Sequence, residues 1–518
     1  MKTSVRIAIA AAIIAGVVAV RQLRDAPAAS GEAEAASGHW RVPANATAFR
    51  FGTLDFSACE LAQKHSAATT EAFCAPFEVP EDRAHPDGRR IALKLALIES
   101  REAADDDFIV LLAGGPGQSA VNSWPQVAGA LEAARKRRHV LLLDQRGTGA
   151  SNPLDCKGDG EAEADADDLA GLDPARLREA TRRCLEEVSD KADPRFYTTS
   201  DAIADLEALR QALGAPKFNL VGVSYGTRVA QQYLKRHPEG VRSLVLDSPV
   251  PNELALGGEF AGNLDEALKA QFAACAAEEA CASAFPDPFA DVIALRDALQ
   301  ANPRSVHYAD PVSFERRERR LNGHALAGLV RLYAYTPETA ALIPLTVREA
   351  LAGNDAPLAG QLDLMTRGID ELIGNGMQLS VLCSEDVDRL PADSGPSKDS
   401  VLGSLLVDVA RTQCEVWPRG ERPADFNEPA RGDRPVLVLA GEFDPVTPPR
   451  YGEQIVATLE RAKLVVAGGQ GHSVMGRGCM PELVARFLDT LDPAALDTAC
   501  IERLGNTPHF IDFNGAAP

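Results

Sequence analysis

The sequence has no long apolar stretch, and its N-terminal apolar run is short for a bilayer span. The run "IAIAAAIIAGVVAV", Ile7 to Val20, has 14 residues. As a helix it would reach roughly 21 Å, short of a hydrocarbon core of about 30 Å. No glycine-rich loop ends in G-K-[ST], and there is no G-x-G-x-x-G, so the usual phosphate cradles are missing. No two cysteines have C-x-x-C spacing, and none lies near a histidine at zinc-finger distance. No cysteine falls between residues 20 and 35, so a lipid-anchored lipoprotein is not indicated. No basic stripe offsets a net charge of −21 from 53 Lys and Arg against 74 Asp and Glu. Such a surface repels phosphate backbones, so nucleic acid is excluded as a partner.

What is present is a globular composition, 45% hydrophobic and 25% charged, over 518 residues. That length suggests two substantial units rather than one core. Residues 1–30 read as a signal peptide or an N-terminal anchor. Lys2 and Arg6 precede the apolar run, and "APAAS" (Ala26 to Ser30) offers small residues for cleavage. Arg21 and Arg24 follow the run, which leaves a membrane tether through residues 7–20 as the alternative. Both readings export the body to the periplasm or beyond. Ten cysteines suit an oxidising compartment: Cys59, Cys74, Cys156, Cys184, Cys275, Cys281, Cys383, Cys414, Cys479 and Cys500. Pairing neighbours along the chain is the economical arrangement. In "CAAEEAC" a continuous helix would hold Cys275 and Cys281 about 9 Å apart, so pairing requires a helix break between them.

Residues 31–50 read as a polar, Ala-rich linker. "RRIALKLALIES" (Arg89 to Ser100) alternates as a half-buried strand does. Short continuous apolar runs follow: "FIVLLA" (Phe108 to Ala113), "HVLLLD" (His139 to Asp144), "FNLVGV" (Phe218 to Val223), "RSLVLD" (Arg242 to Asp247), "PVLVLA" (Pro435 to Ala440) and "AKLVVA" (Ala462 to Ala467). With helical patterns between several of them, they predict an α/β fold, a mostly parallel sheet covered by helices on both faces. From Glu253 to Arg431 the pattern turns helical, with no strong buried strand. The expected layout is core over 51–252, an inserted mainly α-helical cap over 253–431, and core again over 432–518.

Four motifs fall at strand ends, where parallel sheets bind ligands. "LVGVSYG" fits G-x-S-x-G, a sharp strand-to-helix turn that exposes Ser224 and aims the Tyr225 N–H at the same place. A serine hydroxyl needs a base. His472 in "AGGQGHSV" follows a strand directly, whereas His85, His139 and His237 read as structural or surface residues. The base needs a carboxylate. Asp444 in "LVLAGEFDPVTPP" is preferred, with Glu442 as its rival. The chain order Ser224, Asp444, His472 is the order of α/β-hydrolases. In "LLAGGPGQSA", the loop Gly114 to Gly117 can bring a backbone N–H close to a reacting carbonyl oxygen and complete an oxyanion hole with the Tyr225 amide. Each such donor is commonly worth roughly 3 kcal/mol in the transition state.

"AGGPG", "DQRGTGAS", "GVSYG", "DPVTP" and "GHS", in this order, resemble the proline iminopeptidase and tripeptidyl aminopeptidase branch of the α/β-hydrolase serine peptidases over roughly residues 70 to 500. "FCAPFEVPEDRAHPDGRRIAL" and the last hundred residues resemble segments of exported tripeptidyl-aminopeptidase-like members. The resemblance implies Ser224 as nucleophile, Asp444 and His472 as its partners, and Gly115 with Tyr225 as oxyanion donors. Ala113 stands where the family's loop often begins with histidine. Asp144 and Arg146 are expected to brace loops. The resemblance also implies no metal or organic cofactor, and peptide substrates with a free N-terminus whose α-ammonium binds an acidic group of the cap. Glu385 in "VLCSEDVD" is the candidate, with Asp386 as the alternative, and a Cys383–Cys414 cystine would stiffen that segment. An ester hydrolase on the same triad is the second reading. A non-catalytic binding protein is the third, although its usual mark, a missing triad residue, is not found here.

Overall fold

The chain enters its sheet through antiparallel strands β1 (Ala48–Phe51), β2 (Leu54–Ala62), β3 (Thr69–Pro80) and β4 (Arg90–Ile98). It continues through β5 (Phe108–Leu112), β6 (His139–Leu143), β7 (Phe218–Val223) and β8 (Val241–Asp247). A separate hairpin of β9 (Arg304–Ala309) and β10 (Arg316–Leu321) precedes β11 (Val436–Gly441) and β12 (Ala462–Ala467). The main sheet runs β1-β2-β3-β4-β6-β5-β7-β8-β11-β12, parallel from β6 onward. These positions come from a computed structural model that describes residues 40–62, 69–102, 107–156, 173–370, 374–391 and 399–516. The apolar run 7–20 and the small-residue site 26–30 lie outside the described residues. Among the described residues no helix is long and apolar enough to cross a membrane.

The central strands are mainly apolar because both faces are covered. In β5, Phe108, Val110 and Leu112 pack with Leu206, Leu209, Val229 and Tyr233. Ile109 and Leu111 pack on the other side with Trp124, Leu131, Val484 and Phe487. The period of two along the strand thus feeds two helical layers. The first layer includes α3 (Thr199–Leu213) and α4 (Tyr225–Arg236). The second includes α1 (Ala120–Leu131) and the late helix Met480–Thr490. α2 (Pro174–Ser189) precedes α3.

Between β8 and β11 lie α5 (Phe260–Ala276), α6 (Glu279–Ala284), α7 (Pro288–Ala301), α8 (Gly323–Tyr333), α9 (Pro337–Ala340), α10 (Ile343–Leu351), α11 (Ala356–Asp370), α12 (Asn375–Glu385) and α13 (Leu405–Cys414). Leu264, Leu295, Leu326, Val330 and Leu358 give this region a core of its own.

Two features differ from the sequence reading. β1 begins inside the segment taken as a linker, and β2 and β3 extend the sheet ahead of the first expected strand. The hairpin β9–β10 interrupts a region expected to be mainly helical, and both of its strands are half-exposed. In "RRERRL" accessibility alternates while polarity does not, because the inner-facing Arg317 and Arg319 are paired with Asp310 and Asp363 while Arg316, Glu318 and Arg320 face water.

The structure joins the cysteines as neighbours along the chain: 59–74, 156–184, 275–281, 383–414 and 479–500, with Cα separations of 5.0 to 6.4 Å. Among the described residues no cysteine is free. α5 ends at Ala276 and α6 starts at Glu279, so the helix breaks between Cys275 and Cys281 and their Cα atoms stand 5.3 Å apart. The Cys383–Cys414 bond fastens α12 to α13.

Candidate active site

Ser224 follows β7 directly and caps α4 with φ 54° and ψ −123°, a conformation that a bulky residue reaches only under strain. Its side chain makes no capping bond, so the hydroxyl is not used by the helix. The bend is tight because two glycines let backbones meet. A Cβ on Gly222 would lie 2.5 Å from the Gly226 carbonyl oxygen, and one on Gly226 would lie 2.1 Å from that of Leu112. Tyr225 is the first helical residue, and its N–H has no intrahelical acceptor. A Cβ on Gly114 would stand 3.1 Å from the Ser224 Cβ, so the Gly114–Gly117 loop passes directly beside the serine.

Asp444 lies in the loop after β11 and is fully buried. Its Oδ1 accepts from the Val446 and Thr447 N–H groups at 2.9 and 2.8 Å. Its Oδ2 accepts from the Thr447 hydroxyl at 2.9 Å and pairs with His472 Nδ1 at 2.8 Å. The rival Glu442 points elsewhere and accepts the Gly469 N–H at 2.8 Å. Burial opposes ionisation of Asp444, but the imidazole and these donors outweigh it and hold the carboxyl below its usual range. Burial likewise pulls the His472 pKa down, yet the carboxylates of Asp444 and Asp247 raise it overall, against Arg331.

The loop carrying His472 is fixed from two sides. Its backbone N–H donates to the Tyr335 carbonyl at 2.7 Å, and the Tyr335 ring meets the imidazole edge-on at 5.0 Å between centroids. Gly471 permits this approach, since a Cβ there would lie 2.3 Å from the same carbonyl oxygen. On the far side the Val474 and Met475 N–H groups donate to the Asp247 carboxylate at 2.9 and 3.0 Å. Asp247 also accepts the Ser224 N–H through its backbone carbonyl at 2.9 Å. The serine elbow and the histidine loop therefore hang on one residue.

Residues 107–287 match the alpha/beta hydrolase fold family, and residues 401–500 match the TAP-like protein family. The chain has the α/β-hydrolase fold. It resembles the tripeptidyl aminopeptidases and proline iminopeptidases within that fold, and it is a serine hydrolase. The hydrolase is 26% identical to serine protease Hip1 of Mycobacterium tuberculosis, over 84% of its own length and 88% of the relative's. It is 25% identical to the tripeptidyl aminopeptidase of Streptomyces lividans, covering 82% and 83% of the two chains. A crystal structure of the Mycobacterium smegmatis proline iminopeptidase overlays with a TM-score of 0.42 and 18% identity, covering 81% of this chain and 100% of that one.

The hydrolase's other expected residues divide clearly. Asp144 accepts from the Ser119 hydroxyl and from the Val121 and Ala150 N–H groups. Arg146 is buried against Asp205 and donates to the Glu81 and Phe196 carbonyls, so both residues brace loops. Asp386 is committed to Arg228 at 2.9 Å with neither side chain exposed. Glu385 also lies wholly inside: its two oxygens accept the N–H and hydroxyl of Thr199 at 2.7 and 2.8 Å. The Thr199 hydroxyl lies 2.6 Å from the Tyr225 phenol, so α12 is linked through α3 to the residue after the serine. Burial foremost, and then the charge of Asp386, push the Glu385 carboxyl up to about 8. An incoming amine would have to displace Thr199 to reach it.

Thr447, Thr199, Tyr335 and Asp247 are the site residues that sequence reasoning missed. Thr447 alone left a readable trace, because Asp followed three residues later by Thr is a common side-chain-to-backbone turn.

Proposed function

We propose that this serine hydrolase is an exported exopeptidase that cuts peptide bonds near a free N-terminus. The observation that carries the reading is the buried Asp444 carboxylate on His472 Nδ1, in a chain whose serine occupies the elbow. Asp444 fixes the tautomer that leaves Nε2 as acceptor and stabilises the imidazolium once formed. His472 takes the Ser224 proton as the hydroxyl oxygen attacks the carbonyl carbon. The Gly115 and Tyr225 N–H groups hold the oxyanion, His472 protonates the departing amine, and water releases the acyl group by the same relay. Five disulfides support an oxidising compartment.

The α-ammonium is assigned to Glu385. A buried carboxyl that is largely protonated at neutral pH ionises more readily when a cation comes beside it. Free and N-acetylated forms of one short peptide reporter test this. Acetylation is expected to raise KM steeply in the wild type, and Glu385→Gln is expected to raise KM about tenfold on the free peptide alone. An equal loss of kcat on both forms would make Glu385 a brace for Tyr225 through Thr199. Preference for p-nitrophenyl esters over both peptides would favour an ester hydrolase.

The pH dependence follows from the direction of the His472 shift. The base works when neutral and its folded pKa is raised, so kcat/KM falls on acidification through an apparent pKa above the ordinary imidazole value of about 6.5. A pH series on an uncharged-leaving-group substrate checks this. A midpoint below that of free imidazole would contradict the ion pair.

A further inference from the structure

β8 ends in "SLVLDSP", one more apolar strand closing on an aspartate. Asp247 is 1% exposed and Ser248 is fully buried. Ser248 takes a left-handed backbone at φ 57°, and its hydroxyl accepts the Ser473 N–H at 2.8 Å. Asp247 receives Ser224 N–H on its carbonyl and Val474 and Met475 N–H on its carboxylate. Three consecutive amides after His472 are thus tied to two consecutive residues, one of which also holds the backbone of the serine.

We propose that Asp247 is a positioning residue for the hydrolytic reaction, setting the reach between the His472 imidazole and the Ser224 hydroxyl and adding a second buried negative charge beside that imidazole. Asp444 occupies the Nδ1 edge of the ring, so Asp247 acts through the backbone of the loop and through space. The charged groups facing His472 are Asp444 and Asp247, which favour the imidazolium, and Arg331, which opposes it. Burial is the main influence on the Asp247 carboxyl and pushes it up to about 6, so it is mostly ionised at neutral pH. A charged carboxylate there lowers the barrier to the imidazolium-forming step as well as fixing geometry. The inference rests on the Ser224–His472 reading above.

Asp247→Asn keeps the shape, removes the charge and spoils one of two acceptors. It is expected to lower kcat about 10- to 100-fold, as a misplacement near 1 Å does, with KM within about twofold of the wild type. Its acid limb in kcat/KM should move to lower pH by about half a unit to one unit, since the imidazolium has lost a counter-charge. Ser248→Gly keeps the left-handed turn easily accessible and removes only the Ser473 bond. It should lower kcat about three- to tenfold without moving the acid limb. Unchanged kcat in Asp247→Asn, or a fall with the acid limb unmoved, overturns the proposal. If Asp247→Asn does not fold, unchanged kcat in Ser248→Gly overturns it instead. Ser224→Ala run alongside separates the two claims: activity surviving in Ser224→Ala defeats the serine mechanism itself, whereas loss there with a wild-type Asp247→Asn defeats only the role of Asp247.

Discussion

Alanine at position 224 is expected to lower kcat by about ten-thousand- to a million-fold on any peptide reporter while leaving the melting temperature within a degree or two. The first half follows from the proposed mechanism, in which the Ser224 hydroxyl forms the acyl intermediate and its removal leaves only the proposed oxyanion donors and binding to supply rate. The second half follows from the geometry. The Ser224 side chain makes no capping bond, and its backbone keeps the N–H···O bond to Asp247 whatever the side chain. A fluorophosphonate probe should label the wild type and not the variant. Substantial residual turnover in folded Ser224→Ala, or labelling at another residue, would end the nucleophile assignment.

Gly226→Ala is expected to damage both stability and rate. The added Cβ would sit 2.1 Å from the Leu112 carbonyl oxygen and 2.8 Å from that of Ala113. Those atoms are backbone at the end of β5, where the Gly114–Gly117 loop starts, so nothing flexible can yield. The elbow must part from that loop, separating the Tyr225 and Gly115 amides. Overpacking of this kind costs about 1–3 kcal/mol or more. A loss of melting temperature on the order of 5 °C should accompany a kcat roughly a hundredfold lower. Gly262→Ala in α5 is the control: a Cβ there meets nothing within 4 Å, and helix propensity makes the same substitution stabilising by about 0.5–1 kcal/mol. Wild-type kcat in folded Gly226→Ala would show that the elbow tolerates the displacement.

The parallel strands are legible in the sequence because full burial writes itself as unbroken apolar runs, and the elbow is legible because its glycines have no substitute. Asp444 and His472 can be read from their position just past strands. Asp247 also stands at a strand end, as Asp144 does, yet nothing local separates them. One fastens the loop of the base and the other the start of α1, and only the fold assigns each its loop. β3 is obscured by Pro76 and Pro80, and β10 by an inner face built from ion-paired arginines. Glu385 shows a different limit. An acidic residue in an acidic chain reads as exposed, and its complete burial depends on Thr199, 186 positions earlier.

The bond between the Tyr335 carbonyl and the His472 amide ties the inserted region to His472 itself. Lifting the turn between α8 and α9 would strip that amide of its acceptor and pull the ring of Tyr335 off the imidazole. Under the proposed mechanism, a substrate that enters without disturbing His472 would use another side of the inserted region.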